Sequence, residues 1–273
     1  MTVLVDEIGA IAAEHVATIL SQEGTHSWDA LVAAGWTRLA SDEDALLGLR
    51  DLQEVARVTG RQAVTTPLVT TLLAGRWFDL PPEVLDAGVG VAVARSGDVV
   101  VPYITDSMVM YDLDGNRLDP VGVGSDRDDF SSVMPLGLMP HRPLATGTVD
   151  KRADLHAALA AVAVGSADTV AQRSVDWVQT REQFGKRILS FQAVRHHLAN
   201  LHIAREQAWT AAIACAHEPE QAATWSRQAC ELATSAIEIG IQVHGGVGFT
   251  AEVGLHRHLN HVLQIHALLG GTR

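Results

Sequence analysis

Cysteine is scarce in this 273-residue sequence: only Cys215 and Cys230 occur. Both sit inside helix-like stretches, a pattern of core packing rather than of a disulfide framework. Clustered positive charge is also missing. Lys and Arg number 20 against 32 Asp and Glu, for a net charge of −12, and no basic face of the kind that grips a phosphate backbone is visible. Nucleic acid is therefore not an expected partner, although a small anion needs only one or two local donors. Long apolar runs are absent. The longest, Ala157–Val164, is too short and too alanine-rich to span a bilayer, so no membrane association is expected. The start, Met1-Thr-Val-Leu-Val-Asp6, lacks a basic region followed by an apolar stretch, and a cytoplasmic location is expected. There is no Gly-x-Ser-x-Gly elbow, P-loop or Rossmann glycine fingerprint. Histidine is plentiful, with 13, and His258 and His261 stand three apart. No third ligand accompanies them, so no metal is expected.

What is present reads as a globular, mainly helical protein. Hydrophobic residues make up 47% and charged residues 19%, and the length allows a proper core in one large or two modest domains. Apolar positions recur every three or four residues over Val3–Gln22, with Gly24 as a stop. Ser27 can cap Trp28–Ala34, and Gly35 can close it. Further helices are predicted over Asp44–Gly60 and Leu68–Ala74. After Pro81-Pro82 the texture turns to β: Val89–Ala94 and Val99–Tyr103 bracket Ser96-Gly97-Asp98, and Met108–Leu113 runs into the hairpin signal Asp114-Gly115. Four or five strands are expected there, too few for a generous closed barrel. From Asp150 onward the pattern is helical: Asp154–Thr180, then Phe191–His217 capped by Ser190, a helix opened by Pro219 and stopped by Gly245-Gly246, and Ala251–Leu269 capped by Thr250. The expected architecture is an amino-terminal helical domain (1–82), a reduced middle β domain (83–149) and a carboxy-terminal antiparallel four-helix bundle (150–273).

Two stretches carry candidate chemistry. Arg181-Glu-Gln-Phe-Gly-Lys-Arg-Ile-Leu-Ser-Phe-Gln192 joins two long helices. A guanidinium flanked by the amides of Gln183 and Gln192 suits a diphosphate, but Arg181 also suits a helix C-terminus, where a cation meets exposed carbonyls. Gln242-Val-His-Gly-Gly-Val-Gly-Phe249 places three glycines between two helices. It is either an anion cradle of exposed amides or an ordinary helix stop. Spacing alone leaves both alternatives open at both sites.

Together the two stretches resemble the paired signatures of the acyl-CoA dehydrogenase family. The first is Asp176-Trp-Val-Gln-Thr-Arg-Glu-Gln-Phe-Gly-Lys-Arg-Ile-Leu-Ser-Phe-Gln-Ala-Val-Arg-His-His-Leu-Ala-Asn-Leu201, and the second is Gln242-Val-His-Gly-Gly-Val-Gly-Phe-Thr-Ala-Glu252. Trp28–Gly35 and Leu47–Pro67 resemble the family's amino-terminal helices more loosely. The resemblance implies an α–β–α fold and oxidation of acyl-CoA thioesters to 2,3-enoyl-CoA. In that reaction a carboxylate removes the α-proton while a hydride passes to a flavin. It also implies that Arg181, Gln183 and Phe184, helped by Gln192, contact the adenosine-diphosphate part of FAD across a subunit interface. Gln242, Gly245 and Gly246 would hold the pyrophosphate of a neighbouring protomer's FAD.

The departures from the family pattern point further. Both positions where the family places its catalytic carboxylate hold leucine, Leu155 and Leu269, and the latter precedes Gly270-Gly271-Thr272. Asp154 is one residue from the first, about 100° around a helix. The flavin-facing strand pattern survives only as Tyr103-Ile-Thr-Asp-Ser107. A chain that keeps cross-interface residues and loses its own base resembles the small non-catalytic subunit of heteromeric, α2β2 steroid acyl-CoA dehydrogenases of actinobacteria. The implied setting is a shared FAD, a homologous catalytic partner, a steroid side-chain CoA thioester and an electron-transferring flavoprotein or similar acceptor. Two other readings are a flavin-free scaffold of the same family and a self-sufficient enzyme using Asp154.

Overall fold

The structure is a computed structural model that describes residues 7–21, 27–41, 48–64, 66–95, 98–105, 107–118, 124–125, 136–139 and 147–270. Five helices come first: α1 (Glu7–Ser21), α2 (Ser27–Ala33), α3 (Leu49–Gln62), α4 (Leu68–Trp77) and α5 (Pro82–Ala87). The expected elements at Val3–Asp6, Gln22–Gly24 and Asp44–Leu47 lie outside the described residues, as do Ser96-Gly97, Asp106 and Gly271-Thr272. Gly35 follows α2 at φ 78°, a left-handed stop.

Among the described residues seven short strands follow, already more than the four or five expected: β1 (Val89–Val91), β2 (Val93–Arg95), β3 (Asp98–Pro102), β4 (Val109–Tyr111), β5 (Arg117–Leu118), β6 (Gly124–Ser125) and β7 (Leu136–Met139). One reason is local. Ala92 divides the run Val89–Ala94, so β1 joins a three-stranded sheet of order β1-β4-β5 while β2 joins a four-stranded sheet of order β2-β3-β7-β6. The Asp114-Gly115 signal does form a turn between antiparallel β4 and β5. The Asp112 carboxylate holds it by accepting from the backbone N–H of Asp114 at 3.0 Å and of Asn116 at 2.9 Å.

The bundle begins with α6 (Val149–Thr180), 32 residues long. It starts before the expected Asp154 because Thr148 caps it, accepting from the Lys151 N–H. A β-hairpin of β8 (Glu182–Gln183) and β9 (Lys186–Arg187) leads into α7 (Gln192–His217), followed by α8 (Ala222–His244) and α9 (Leu255–Gly270). Pro219 opens a 3-10 turn, Pro219–Gln221, ahead of α8. Ser190 and Thr250 do not cap helices. Each hydroxyl instead donates to a carbonyl three residues back, Arg187 at 2.7 Å and Val247 at 2.7 Å. Such a bond closes a local turn and leaves no oxygen aimed at a helix start.

One hydrophobic core joins α1, α3 and α4 to all four bundle helices. Helices α3 and α6 meet almost backbone to backbone. A Cβ on Gly60 would lie 1.9 Å from the Val162 carbonyl oxygen, and one on Gly165 would lie 1.9 Å from that of Arg57, so only glycine permits this approach. Beside the contact, Gln53 donates to the carbonyls of Ala157 at 3.3 Å and Ala212 at 2.7 Å. Asp168 accepts from Arg57 at 2.7 Å and Arg61 at 2.9 Å and faces Arg205 at 3.5 Å. Burial raises the Asp168 pKa, yet the Arg57 and Arg61 guanidiniums outweigh it and hold the carboxyl below its usual range.

The β segment is tied to this core by a buried chain of hydrogen bonds. Ser166 Oγ donates to the Gly60 carbonyl at 3.2 Å and lies 3.1 Å from His261 Nδ1, while the Tyr103 hydroxyl lies 2.8 Å from His261 Nε2. With the Ser166 proton committed to Gly60, His261 donates from Nδ1 and accepts the Tyr103 proton at Nε2. Tyr103 reaches this position from a left-handed backbone, φ 56°.

Candidate functional site

The Arg181–Gln192 stretch leaves the end of α6 and enters water. Every residue from Arg181 to Arg187 is exposed, and Phe184, at the hairpin tip with φ 53°, is 91% exposed. A left-handed conformation is unusual for a bulky residue, and here it is imposed by the two-residue turn Phe184-Gly185. The tip is braced weakly. Phe184 meets Phe191 edge to face at 6.2 Å, and Lys186 Nζ lies 4.4 Å from the centre of the Phe191 ring. Gln183 donates to the Glu182 carbonyl at 2.6 Å, and Gln192 lies 3.5 Å from His196 Nε2.

Arg181 terminates α6 through its backbone, whose N–H donates to the Trp177 carbonyl at 2.9 Å. Its guanidinium lies over the Trp177 ring at 5.6 Å, and among the described residues no carboxylate pairs with it. The cation is therefore held by an aromatic face, with its hydrogen-bonding edge left for a ligand.

The second stretch ends α8. Gln242 is exposed, His244 is buried, and Gly245 takes φ 67° and ψ −146° as the helix stops. A Cβ on Gly245 or Gly246 would meet nothing within 4 Å. The backbone is thus bare on that side, a cradle that a side chain would fill. Phe249 projects beside it, 73% exposed.

Sequence reasoning missed the residue pair that links the two stretches. Trp177 stacks on His244, with ring centres 5.4 Å apart and planes at 18°, so the arginine-bearing helix end and the glycine-bearing loop share one aromatic hinge. His244 donates from Nδ1 to the Gly240 carbonyl at 2.8 Å. Its pKa is lowered, chiefly by burial, which favours the neutral form of the stacked ring. A cavity of about 630 Å³ opens along this seam, lined by Arg173, Asp176, Trp177, Thr180, His244 and Glu252 among others. Trp177 lies one helical turn before Arg181, on the same face, which is the signal that could have found it.

Both expected base positions lie in the hydrophobic core, Leu155 at 3% exposure and Leu269 at 4%. Neither side chain titrates. The adjacent carboxylate, Asp154, accepts from Trp77 Nε1 at 2.9 Å and pairs with Arg76 at 3.4 Å. Tyr103, in the string nearest the flavin-facing pattern, is buried with its hydroxyl given to His261, which leaves it unavailable to cover a ring. Among the described residues, the exposed arginine, amides and open glycine backbone fit the phosphate end of a dinucleotide, and Leu155, Leu269 and Tyr103 offer nothing to its flavin ring. Among the described residues, no group of three or more His, Cys, Asp or Glu gathers as a metal site, and no helix is long and apolar enough to cross a membrane.

Residues 155–273 match the family model described as the acyl-CoA dehydrogenase C-terminal domain. The chain is similar to the acyl-CoA dehydrogenase IpdE2 of Mycobacterium tuberculosis, with 40% identity over 100 residues. That stretch covers 36% of this chain and 31% of the relative. In fold it is similar to a chain of the ChsE4-ChsE5 complex from Mycobacterium tuberculosis, at TM-score 0.75 and 20% identity, covering 99% of this chain and 95% of the other. It is also similar to the Tcur3481-Tcur3483 steroid ACAD, at TM-score 0.75 and 23% identity, covering 97% and 94%. The family match is confined to the bundle, where this chain resembles the acyl-CoA dehydrogenase C-terminal domain, and the matched stretch spans less than a third of the IpdE2 relative; over the whole chain the likeness is one of fold.

Proposed function

We propose that this chain is the supporting subunit of a flavin-dependent acyl-CoA dehydrogenase, lending FAD-contacting residues across an interface to a homologous catalytic partner. One contrast carries the reading: the signature residues are bare, while both base positions are core leucines. In this reading Arg181, Gln183, Phe184 and Gln192 hold the adenosine-diphosphate part of the partner's FAD, and Gln242 with the open backbone of Gly245 and Gly246 takes its pyrophosphate. The flavin, when bound, accepts the hydride. This chain's part is to bind and orient it, while the proton-abstracting carboxylate and the ring-covering strands come from the partner. One structural relative is the ChsE4-ChsE5 complex and another is the Tcur3481-Tcur3483 steroid ACAD. These relatives favour a heteromeric assembly and a steroid side-chain CoA thioester as substrate, with an electron-transferring flavoprotein or similar acceptor completing the turnover.

The test is flavin content. The chain purified alone is expected to carry little FAD, and co-expression with its partner to give yellow, active protein. Stoichiometric FAD together with acyl-CoA oxidation by the chain alone would sink the proposal. In the co-expressed complex, Arg181→Ala is expected to strip FAD without unfolding, because the side chain is exposed. Unchanged flavin in that variant would favour the flavin-free scaffold.

A further inference from the structure

We propose a second anion site, argued from different side chains than the flavin reading, in the cleft between Arg61 at the end of α3, Arg173 on α6 and Arg257 in the first turn of α9, with a phosphate or pyrophosphate group as its ligand. It adjoins the Trp177–His244 seam and shares Arg173 and Glu252 with the cavity there. The cleft holds about 380 Å³, and Gln62, Thr169, Glu252 and His258 also line it. An adjoining cavity of about 440 Å³ shares Arg61, Gln62, Thr169 and Arg173 and reaches Asp168 and Arg205.

Charge is what sets this place apart in a chain of net charge −12. Asp168 is divided among Arg57, Arg61 and Arg205, and Glu206 pairs with Arg205 as well, so two carboxylates meet three guanidiniums and one positive charge is left over. Arg173 donates to the Val253 carbonyl at 2.7 Å, an uncharged acceptor that positions the guanidinium without cancelling it. Among the described residues no ion pair engages Arg257, and Glu252 is the sole carboxylate lining the 380 Å³ cleft. The 16-residue α9 starts here, adding the positive end of its dipole.

His258 gives an independent sign of the same field. It is 6% exposed and lines the cleft, and its Nδ1 has no partner among the described residues. Its imidazole is pushed down to about 4, first by burial and then by Arg173 and Arg257. Of the carboxylates, only Glu252 lines the cleft beside it. A bound dianion supplies the missing negative charge, and arginine forks match phosphate oxygens in pairs. The lining is polar, and apart from Ala63, Ala251 and Val253 it offers no apolar surface for a protein segment to bury.

The experiment is calorimetric titration of the full chain with inorganic pyrophosphate, then with ADP, to separate a free anion from the phosphate end of a nucleotide. One site per chain is expected. Arg257→Gln and Arg61→Gln should each weaken it about tenfold or more, since each removes charged hydrogen bonds. Arg181→Gln, in the other site, should leave it unchanged. Arg257 is exposed and outside the core, and urea midpoints confirm that the variants fold. The proposal is overturned if neither anion binds at millimolar concentration. It is overturned equally if Arg181→Gln removes binding while Arg257→Gln does not, or if Arg257→Gln spares pyrophosphate binding but breaks association with the partner, which would make the cleft a protein contact.

Discussion

The two ends of α6 live in different surroundings. From Ala153 to Ala171 nearly every side chain is buried, and the helix touches α3 across glycine contacts; from Arg181 to Arg187, just past its last turn, every residue is exposed. In the family that the bundle resembles, both ends are places where chemistry is expected. Here the buried end holds Leu155 and an Asp154 tied to Trp77 and Arg76, so the position has been absorbed into packing. The exposed end keeps an arginine, two glutamines and a bare phenylalanine that few contacts within the chain require. Side chains with so little to do in their own fold are best explained by something outside it.

The harshest way to break the contrast is to put the base back. Leu155→Glu buries a carboxylate with no partner in the core, and a loss of at least about 4 kcal/mol in urea unfolding is expected, with no gain of acyl-CoA oxidation by the chain alone. Activity from that variant would mean the buried end is still a site. Acid attacks the same end through its histidines. His156 and His258 are held down to about 4 and His261 to about 3, burial being the main cause in each. Unfolded imidazoles titrate near about 6.5, so the unfolded chain takes up protons that the folded chain refuses. Stability is therefore full above that pH and falls as pH drops toward 4, by up to about 1.4 kcal/mol per pH unit for each histidine. Urea midpoints that stay flat between pH 7 and 5 would contradict the buried, neutral assignment.

A smaller effect sharpens the packing side. Gly165→Ala drives a methyl into the Arg57 carbonyl, and about 2 kcal/mol of destabilisation is expected by chemical denaturation. The smallest effect separates Asp154 from catalysis. Asp154→Asn keeps an acceptor for Trp77 and loses the half-exposed Arg76 pair, which is worth less than about 1 kcal/mol. Oxidation rate and flavin content of the co-expressed complex should not change, whereas the self-sufficient reading requires the rate to collapse.

Much of this contrast was legible before any coordinates. The helical periodicity, the Asp114-Gly115 turn and the glycine stop at Gly245 are local signals, and each appears where it was expected. Caps were less reliable, because the Ser190 and Thr250 hydroxyls can serve a carbonyl behind them as well as an amide ahead. The strand count depended on a break at Ala92 that only pairing partners decide. The Trp177–His244 stack joins residues 67 apart in sequence, and the Arg61–Arg173–Arg257 cleft draws one residue from each of three helices. The cleft has no local pattern to betray it, and for the stack the one-turn spacing of Trp177 from Arg181 points to only half of the pair, since both follow from how the helices cross.

The hairpin tip has a practical consequence. Phe184 presents nearly its whole ring to water from a backbone conformation that a phenylalanine seldom occupies. With Phe249 also uncovered, two aromatic rings of the chain face water, and adsorption to surfaces and self-association are the expected outcome for the chain on its own. Handling the chain on its own should therefore cost yield long before it costs fold, and Phe184→Ser is the change expected to make it behave.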